Sequence, residues 1–383
     1  MAFRPLTLAR SWLRRLRRWA TLRTGGGALL ERLGVWNLCL TILQARLDHR
    51  LLILGYHRVL DREEIGPLDP GVISCTPDEL ASHLRLVRRY LTPITFAELA
   101  RGLSGGSLPT RPVIVTIDDG YLDTYTRIYP RLRAAGFPAT LFLATGYLDE
   151  RRLYWWDLVT LACHTLPKQV AEVARALLPD EPPTSDAGRL LHRLKRVPNA
   201  RREAFVAQIE AIVADLPLPI PRPILTWEQV RELAGGGMEL GGHTVTHPVL
   251  SQLEADRLRA EIAGCRERLR EETSQPVLAF AYPVGGAHAI NDRVVRAVAE
   301  AGYQFAATYI HGGNDLARLD RFTLRRLRID AGPGGGIGSL QRDLCAILSG
   351  HRRHGARPTK WSNCGSHIPL AHGRDTHPRA DHR

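Results

Sequence analysis

Apolar runs and amphipathic segments alternate along the middle of the chain. LLILGY (51–56) and RPVIVTIDDG (111–120) are short apolar runs that end at polar residues, which predicts buried strands. PDELASHLRLVRRY (77–90) and residues 253–272 have helical periodicity, with Pro77 near the start of the first segment. Strands that alternate with helices are typical of parallel sheets. At least five strands are predicted between residues 51 and about 345, which favours an α/β fold of the (β/α) barrel kind.

Three regions depart from this alternation. Residues 150–225 are helical and rich in charge, and they end in the proline-rich PLPIPRPIL, which predicts a helical insertion between two strands. In residues 1–50, arginines interleave with Leu, Trp and Ala at roughly helical spacing, which predicts a basic amphipathic extension. The His/Arg-rich residues 346–383 show little periodicity and are predicted to be a disordered tail. The folded domain is therefore predicted to span residues 51–345.

The charge distribution argues against a nucleic-acid-binding domain. The chain carries a formal charge of +13, but residues 51–350 hold 35 basic and 35 acidic side chains. The excess lies in the two ends, so we expect no nucleic-acid partner and a peripheral contact of the N-terminal helix with anionic membrane. The alternative for this extension is a solvated segment or one that packs against the domain. Six scattered cysteines without a C-x-x-C pair suit a reducing compartment, which predicts a cytoplasmic location, peripheral at the membrane.

Two acidic and two imidazole side chains follow predicted strands. Asp118 and Asp119 come directly after VIVTI, and His243 and His247 follow the strand within GGHTVTHP. The alternatives are an Asp-Gly turn and a pair of structural loop histidines. Because the carboxyl ends of barrel strands meet at one face, an Asp/His/His set can form there. Such a set binds zinc and accepts other divalent ions, and the second aspartate is then placed as a general base.

The motifs TIDDG (116–120), HTVTH (243–247) and AYPVG (281–285) resemble those of the polysaccharide deacetylase family, carbohydrate esterase family 4. The resemblance covers roughly residues 51–310. It implies a distorted (β/α) barrel of the polysaccharide deacetylase type with a helical insertion. It also implies Asp118 as the catalytic base and Asp119, His243 and His247 as ligands of a divalent ion, Zn²⁺ in the first place, with Co²⁺, Ni²⁺ or Mn²⁺ as alternatives.

Two departures from the family pattern affect the predicted site. FAYPVGG lacks the arginine that usually supports the base, and RRLRID (325–330) lacks the acid histidine of the family's closing motif. GYHRV (55–59) ends the first strand and resembles the exopolysaccharide branch, which implies His57 as the acid. The alternative for His57 is a structural hydrogen bond. Three arginines of the 325–330 segment are candidates for the missing one, although a solvated face is the favoured interpretation: Arg325, Arg326 and Arg328.

Aromatic residues complete the predicted site. The Tyr282 backbone amide is assigned to an oxyanion hole, with core packing as its alternative. Trp155 and Trp156 are assigned to a sugar-stacking wall, with core packing again as the alternative. The predicted function is metal-dependent hydrolysis of acetyl groups, chiefly N-acetyl, from a polysaccharide, oligosaccharide or lipid-linked sugar. The competing hypothesis is a catalytically impaired carbohydrate-binding protein held at the membrane surface.

Overall fold

The computed structural model describes residues 35–43, 47–150, 152–180, 182–214, 223–330 and 337–348. Seven parallel strands of this part close into a barrel in the order β1-β11-β9-β8-β7-β6-β5, and β5 pairs back to β1. The strands are β1 (Arg50–Tyr56), β2 (Arg58–Val59), β3 (Ile73–Cys75), β4 (Thr92–Pro93), β5 (Pro112–Asp119), β6 (Thr140–Leu143), β7 (Glu239–Gly242), β8 (Ala279–Ala281), β9 (Phe305–His311), β10 (Asn314–Asp315) and β11 (Leu324–Arg328). The predicted (β/α) barrel is therefore confirmed.

Alternating residues of each strand face either the barrel interior or the surrounding helices. In β1, Leu51 and Ile53 belong to the interior cluster, whereas Leu52 and Leu54 pack in the outer core. All four side chains are fully buried, which explains why the strand reads as a continuous apolar run. The parity matters for chemistry, because a polar residue on the inward face of a strand lies in the barrel near its mouth.

Thirteen α-helices of the described residues surround or extend the barrel. They are α1 (Val35–Leu43), α2 (Pro77–Tyr90), α3 (Phe96–Leu103), α4 (Tyr129–Ala135), α5 (Thr145–Glu150), α6 (Trp155–Thr165), α7 (Pro167–Leu177), α8 (Ala187–Leu194), α9 (Asn199–Val213), α10 (Trp227–Gly235), α11 (Ala255–Thr273), α12 (Asp292–Glu300) and α13 (Ile337–Leu348). Thr226 caps α10 by accepting a hydrogen bond from the Gln229 amide, as its sequence position predicts.

Helices α6 to α9 lie between β6 and β7 and form the predicted helical insertion. Their buried apolar residues, such as Val170, Leu190 and Phe205, join the core that covers the outside of the barrel. The insertion also delivers Trp155, Trp156 and Lys195 to the pocket at the barrel mouth. It therefore contributes to the site as well as to the core.

The packed unit extends beyond both boundaries that the sequence suggested. Helix α1 lies within the predicted extension, yet it packs against α13, where the Gln341 amide donates to Asn37 Oδ1 at 3.0 Å. Helix α13 itself reaches Leu348, past residue 345. The amphipathic pattern of residues 1–34 and the tail from residue 349 onward lie outside the described residues. Among the helices described, none is long and apolar enough to cross a membrane.

Candidate active site

Asp118 and Asp119 end strand β5, and both are about 1% exposed. Asp118 shares the inward parity of Thr116, so its side chain lies inside the barrel mouth. Asp119 has a positive φ of 77°, and Gly120 follows with a φ of 75°. The φ of Gly120 favours glycine, and a Cβ there would lie 2.5 Å from Leu143 Cδ2, so the Leu143 side chain would have to move. The Asp-Gly turn that the sequence offered as an alternative is present, and the two adjacent carboxylates point to different partners.

Asp119, His243 and His247 converge at this mouth. Asp119 Oδ1 lies 3.5 Å from His243 Nε2 and 3.7 Å from His247 Nε2. All three residues are buried, and their ligand atoms lie within 4.8 Å of one another. Asp119 Oδ1 has no hydrogen-bond partner among the described residues. The sequence predicted this grouping, and the structure brings the three residues together.

The two histidines lie in a loop after β7, in a backbone conformation that is not helical. Thr244 and His247 have positive φ values of 71° and 56°. Glu261 of α11 holds this loop, because its Oε2 accepts hydrogen bonds from the Val245 amide at 2.9 Å and the Thr246 amide at 2.8 Å. The loop geometry is therefore fixed by a carboxylate from a neighbouring helix.

The distances from the Asp119 carboxylate oxygen to the two imidazole nitrogens fit a shared divalent ion. Metal–ligand bonds of about 2.1 Å in tetrahedral geometry place neighbouring ligand atoms about 3.4 Å apart. The observed 3.5 and 3.7 Å match that separation and exceed the usual length of a charge-assisted hydrogen bond. The His243 Nδ1–H donates to the Ala281 carbonyl at 2.7 Å, which leaves the Nε2 lone pair free for an ion. These residues therefore fit the divalent ion that the sequence implies.

Without an ion, the two imidazoles differ in their affinity for protons. Burial acts to lower the pKa of His243, but the carboxylates of Asp119 and Asp118 raise it above its ordinary value. Burial, then the charges of His243 and Arg202, hold the pKa of His247 well below its ordinary value. His247 is therefore neutral at physiological pH, which is the form that a metal ligand requires.

Asp118 forms a buried ion pair with Arg326. Arg326 Nη1 donates to Asp118 Oδ1 at 2.7 Å, and the two side chains are 1% and 2% exposed. The Arg326 Nε–H also donates to the Thr308 carbonyl at 2.8 Å. Burial acts to raise the pKa of Asp118, but the charge of Arg326, followed by those of His57 and His243, holds it below its ordinary value. Asp118 is thereby kept ionised, as a general base must be.

The favoured interpretation of the 325–330 segment as a solvated face is wrong for Arg326. The segment begins inside strand β11, whose inward face carries Leu324 and Arg326. Arg326 thus occupies the barrel interior and supplies the arginine that FAYPVGG lacks. LRRLR shows no alternation of apolar and polar residues, so only its pairing with the neighbouring strands reveals the inward-facing arginine.

His57 follows β1 and lies beside Asp118. Its Nε2 is 3.8 Å from Asp118 Oδ2, and its side chain is 19% exposed. The backbone amide of His57 donates to Ser74 Oγ at 2.8 Å, which anchors the strand end. A structural hydrogen bond therefore exists, but it uses the backbone and leaves the imidazole at the pocket. The structure brings His57 to the predicted site.

The assignment of the Tyr282 amide to an oxyanion hole is wrong. That amide donates to the Ala307 carbonyl at 3.1 Å, in the pairing of the β8 edge with β9. The Tyr282 hydroxyl donates to the Phe322 carbonyl at 2.9 Å, so the side chain also takes part in a structural hydrogen bond. Val284 lies two residues later, lines the pocket and has a positive φ of 62°. No hydrogen bond engages its amide within the described residues, so Val284 replaces Tyr282 as the candidate.

Trp155 and Trp156 line the pocket, although they are only 6% and 5% exposed. The Trp156 ring packs 4.8 Å from that of His247, and its Nε1–H donates to the Tyr121 hydroxyl at 2.8 Å. That hydroxyl in turn donates to Asp157 Oδ2 at 2.7 Å. Trp156 therefore packs against the histidine loop and Trp155 packs against Trp156, so little ring surface is left for stacking on a sugar.

The pocket that these residues form has a volume of about 160 Å³. Sequence reasoning missed Lys195, Tyr309 and Asp330, which also line it. Lys195 follows a helix of the insertion, Tyr309 belongs to β9, and Asp330 lies just beyond the end of β11. None of the three stands in a recognisable motif, so only the folded barrel reveals their position.

Two relatives that are similar in sequence have names that describe deacetylases. The chain is 25% identical over 233 residues to the poly-β-1,6-N-acetyl-D-glucosamine N-deacetylase of Escherichia coli K12, covering 60% of this chain and 30% of the relative. It is 29% identical over 113 residues to the putative polysaccharide deacetylase YxkH of Bacillus subtilis, covering 29% and 38%. The chain thus matches about a third of the length of each relative.

Solved structures share the fold. The Streptococcus pyogenes deacetylase PplD, solved in complex with acetate, superposes with a TM-score of 0.51 at 21% identity, covering 78% of this chain and 98% of that one. IcaB from Ammonifex degensii gives a TM-score of 0.50 at 18% identity, covering 79% and 97%. The polysaccharide deacetylase family model matches residues 105–306, more than half of the chain. Because this match covers more than half of its length, the chain belongs to the polysaccharide deacetylase family.

Proposed function

We propose that the protein removes N-acetyl groups from an acetylated glycan by metal-dependent hydrolysis. The observation that carries this proposal is the joint placement of an ionised base and a divalent-ion site. Asp118 is held by Arg326 at 2.7 Å, directly beside the Asp119/His243/His247 set. A base adjacent to a metal site is the arrangement that attack of water on an acyl carbon requires.

The residues of the chain divide the proton transfers between them. Asp118 accepts a proton from the attacking water, and its ion pair with Arg326 keeps it ionised beforehand. Water oxygen bonds to the acetyl carbon, and the carbon–nitrogen bond then breaks. His57 Nε2, which lies 3.8 Å from this carboxylate, takes over that proton and donates it to the departing amine, so both side chains return to their starting states. The products are acetic acid, which ionises to acetate, and a free amino sugar, so atoms and protons balance.

Asp119, His243 and His247 would hold the ion. When bound, a divalent ion supplies Lewis-acid polarisation of the acetyl carbonyl and acidifies water. Zinc suits an N/N/O donor set, and cobalt, nickel and manganese are the alternatives. Val284 lines the pocket, and its amide is the proposed backbone donor to the developing oxyanion.

A polymer or oligomer of N-acetylglucosamine is the proposed substrate class. Support comes from the E. coli relative, whose name specifies a β-1,6-linked N-acetyl-D-glucosamine polymer. Lys195 and two tryptophans of the insertion line the pocket and narrow it. We expect the pocket to admit an acetamido group while the rest of the sugar chain lies outside it. The competing hypothesis of an impaired binding protein depends on a missing arginine and a missing histidine, and the contacts of Arg326 and His57 with Asp118 support these two residues in the missing roles.

Acetate release from β-1,6-linked and β-1,4-linked N-acetylglucosamine oligomers tests this proposal. The chelated protein should release none, and zinc, cobalt, nickel or manganese should restore release. His243→Ala should abolish the restored activity, whereas His192→Ala, at an exposed position in α8, should retain it. Metal binding without acetate from any acetylated sugar would favour the binding-protein hypothesis.

We also propose that the N-terminal segment attaches the protein peripherally to anionic membrane. Residues 1–34 contain eight arginines and one glutamate. Leu38 and Ile42 of α1 follow this segment and are 55% and 64% exposed on the same helix face. Sedimentation with vesicles that contain anionic lipid should exceed that with neutral vesicles, and Leu38→Ser/Ile42→Ser should reduce it. Equal binding to both vesicle types would contradict the proposal.

The cytoplasmic location stays a prediction, to be tested by cell fractionation.

A further inference from the structure

His57 is contacted through both ring nitrogens. Nε2 faces Asp118, and Nδ1 lies 3.4 Å from the hydroxyl of Tyr309 on β9. The His57 and Tyr309 rings meet edge to face, with centroids 5.2 Å apart and planes at 89°. The acid candidate is therefore held on the side away from the base by a side chain of another strand.

The hydroxyl of Tyr309 has a second partner. It donates its proton to Asp330 Oδ1 at 3.2 Å, just beyond the end of β11. A hydroxyl carries one proton and two lone pairs. Once that proton is given to the carboxylate, the oxygen can only accept from His57. Nδ1 must then be the nitrogen that bears hydrogen.

Tyr309 is well suited to remain a neutral hydroxyl in this position. Burial, followed by the charge of Asp330, raises the pKa of Tyr309 well above its ordinary value. The guanidinium of Arg326 lies 5.0 Å from the ring centroid, and that of Arg328 lies 5.5 Å from it. The ring is therefore packed between the acid candidate and the arginine that holds the base.

We propose that Tyr309 is a positioning residue that fixes His57 as the Nδ1–H tautomer, with Asp330 orienting the Tyr309 hydroxyl. This inference rests on the proposed function of His57 as the proton donor. The neutral imidazole then has its lone pair on Nε2, on the side of Asp118. Nε2 can therefore take up the proton that Asp118 removes from water and deliver it to the departing amine. The 3.4 Å contact is long for a hydrogen bond, and contacts of this kind tighten when substrate binds.

Nitrogen-15 NMR of the full chain, labelled at histidine and supplied with zinc, measures the tautomer directly. His57 is assigned by the signals that disappear in His57→Gln. At a pH where the ring is neutral, the wild-type protein should show a protonated Nδ1 and an unprotonated Nε2. Tyr309→Phe should move the population towards Nε2–H. Tyr303→Phe is the matched control, because its buried hydroxyl donates to the Ile262 carbonyl away from the site and its loss should leave the tautomer unchanged.

Asp330→Asn provides a second variant at an exposed position. It should shift the tautomer in the same direction as Tyr309→Phe. Both variants should lower kcat by about 10- to 100-fold with KM within about twofold, because a misplaced proton donor affects the chemical step. A wild-type Nε2–H tautomer, or a tautomer unchanged in both variants, would overturn the proposal.

The NMR signal does not depend on turnover. A tautomer that shifts as expected in a protein that releases no acetate would contradict only the proposed function. An active enzyme whose His57 tautomer is the same in the wild-type protein and in Tyr309→Phe would contradict only the positioning role.

Discussion

Replacing Arg326 with methionine tests the physical role of the buried ion pair. Methionine keeps much of the aliphatic volume but removes the charge and all donors. Asp118 would then stay in the barrel interior, 2% exposed, without the guanidinium that now lies 2.7 Å away. The Thr308 carbonyl would also lose its donor.

The expected loss of stability is large. Removing one partner of a buried ion pair costs about 3–5 kcal/mol, because the remaining charge is left uncompensated. Arg326 and Asp118 are both nearly inaccessible, so we expect about 4 kcal/mol of lost unfolding free energy at neutral pH. Acetate release should fall by about 10²- to 10⁴-fold, since the base would lose the neighbouring charge that favours its ionised form.

The pH dependence has a definite sign. In the wild-type protein the pKa of Asp118 lies below its ordinary value of 3.8, so its contribution to stability is present above that value and is lost in acid. In Arg326→Met burial prevails and raises this pKa, so the variant should gain stability as the pH falls. The gap between the two proteins should be widest at neutral pH and narrow in acid.

Urea unfolding of the chelated proteins between pH 4 and pH 8 would measure this gap. Arg325→Met is the matched control: it lies on the other face of the same strand, is half-buried, and should change stability by less than about 1 kcal/mol. Arg326→Met/Asp118→Asn should recover part of the stability. A gap that stays constant with pH, or a stable and active Arg326→Met, would refute the reasoning.

Three other predictions concern the support of the site. Burial raises the pKa of Asp157 to about 6, so wild-type stability should fall by about 2 kcal/mol between pH 4 and pH 7 relative to Asp157→Asn, and parallel pH curves in urea would contradict this. Gly120→Ala should lower the melting temperature, because of its φ of 75° and the 2.5 Å approach to Leu143; an unchanged melting temperature would count against this strain. Glu261→Gln should weaken zinc affinity by about 10-fold in calorimetry, since it loosens the histidine loop, and unaltered affinity would exclude that role.

Most of the barrel could be predicted because its strands are buried on both faces. The apolar run of β1 and the 14 residues of α2 stand out in the sequence, and their predicted bounds agree with the structure to within a residue. Strand β11 was missed because arginines occupy three of its five positions. Its membership in the barrel depends on long-range pairing with β1 and β9, which local periodicity cannot reveal.

The metal-ligand set could be predicted because its residues occur in compact motifs at strand ends. Arg326 could not be assigned from the sequence, because its place in the interior follows from strand parity and barrel closure. The Tyr282 assignment failed for a related reason: which amides of a loop remain free depends on how far the adjacent strand pairing extends, and here it reaches Tyr282.

The most direct test of the central claim measures acetate release and bound metal on the same sample of Asp118→Asn. The account predicts that this variant binds one divalent ion per chain, as the wild-type protein does, and releases no acetate. His243→Ala should lose both the ion and the activity. Acetate release that persists in Asp118→Asn would contradict the assignment of Asp118 as the base.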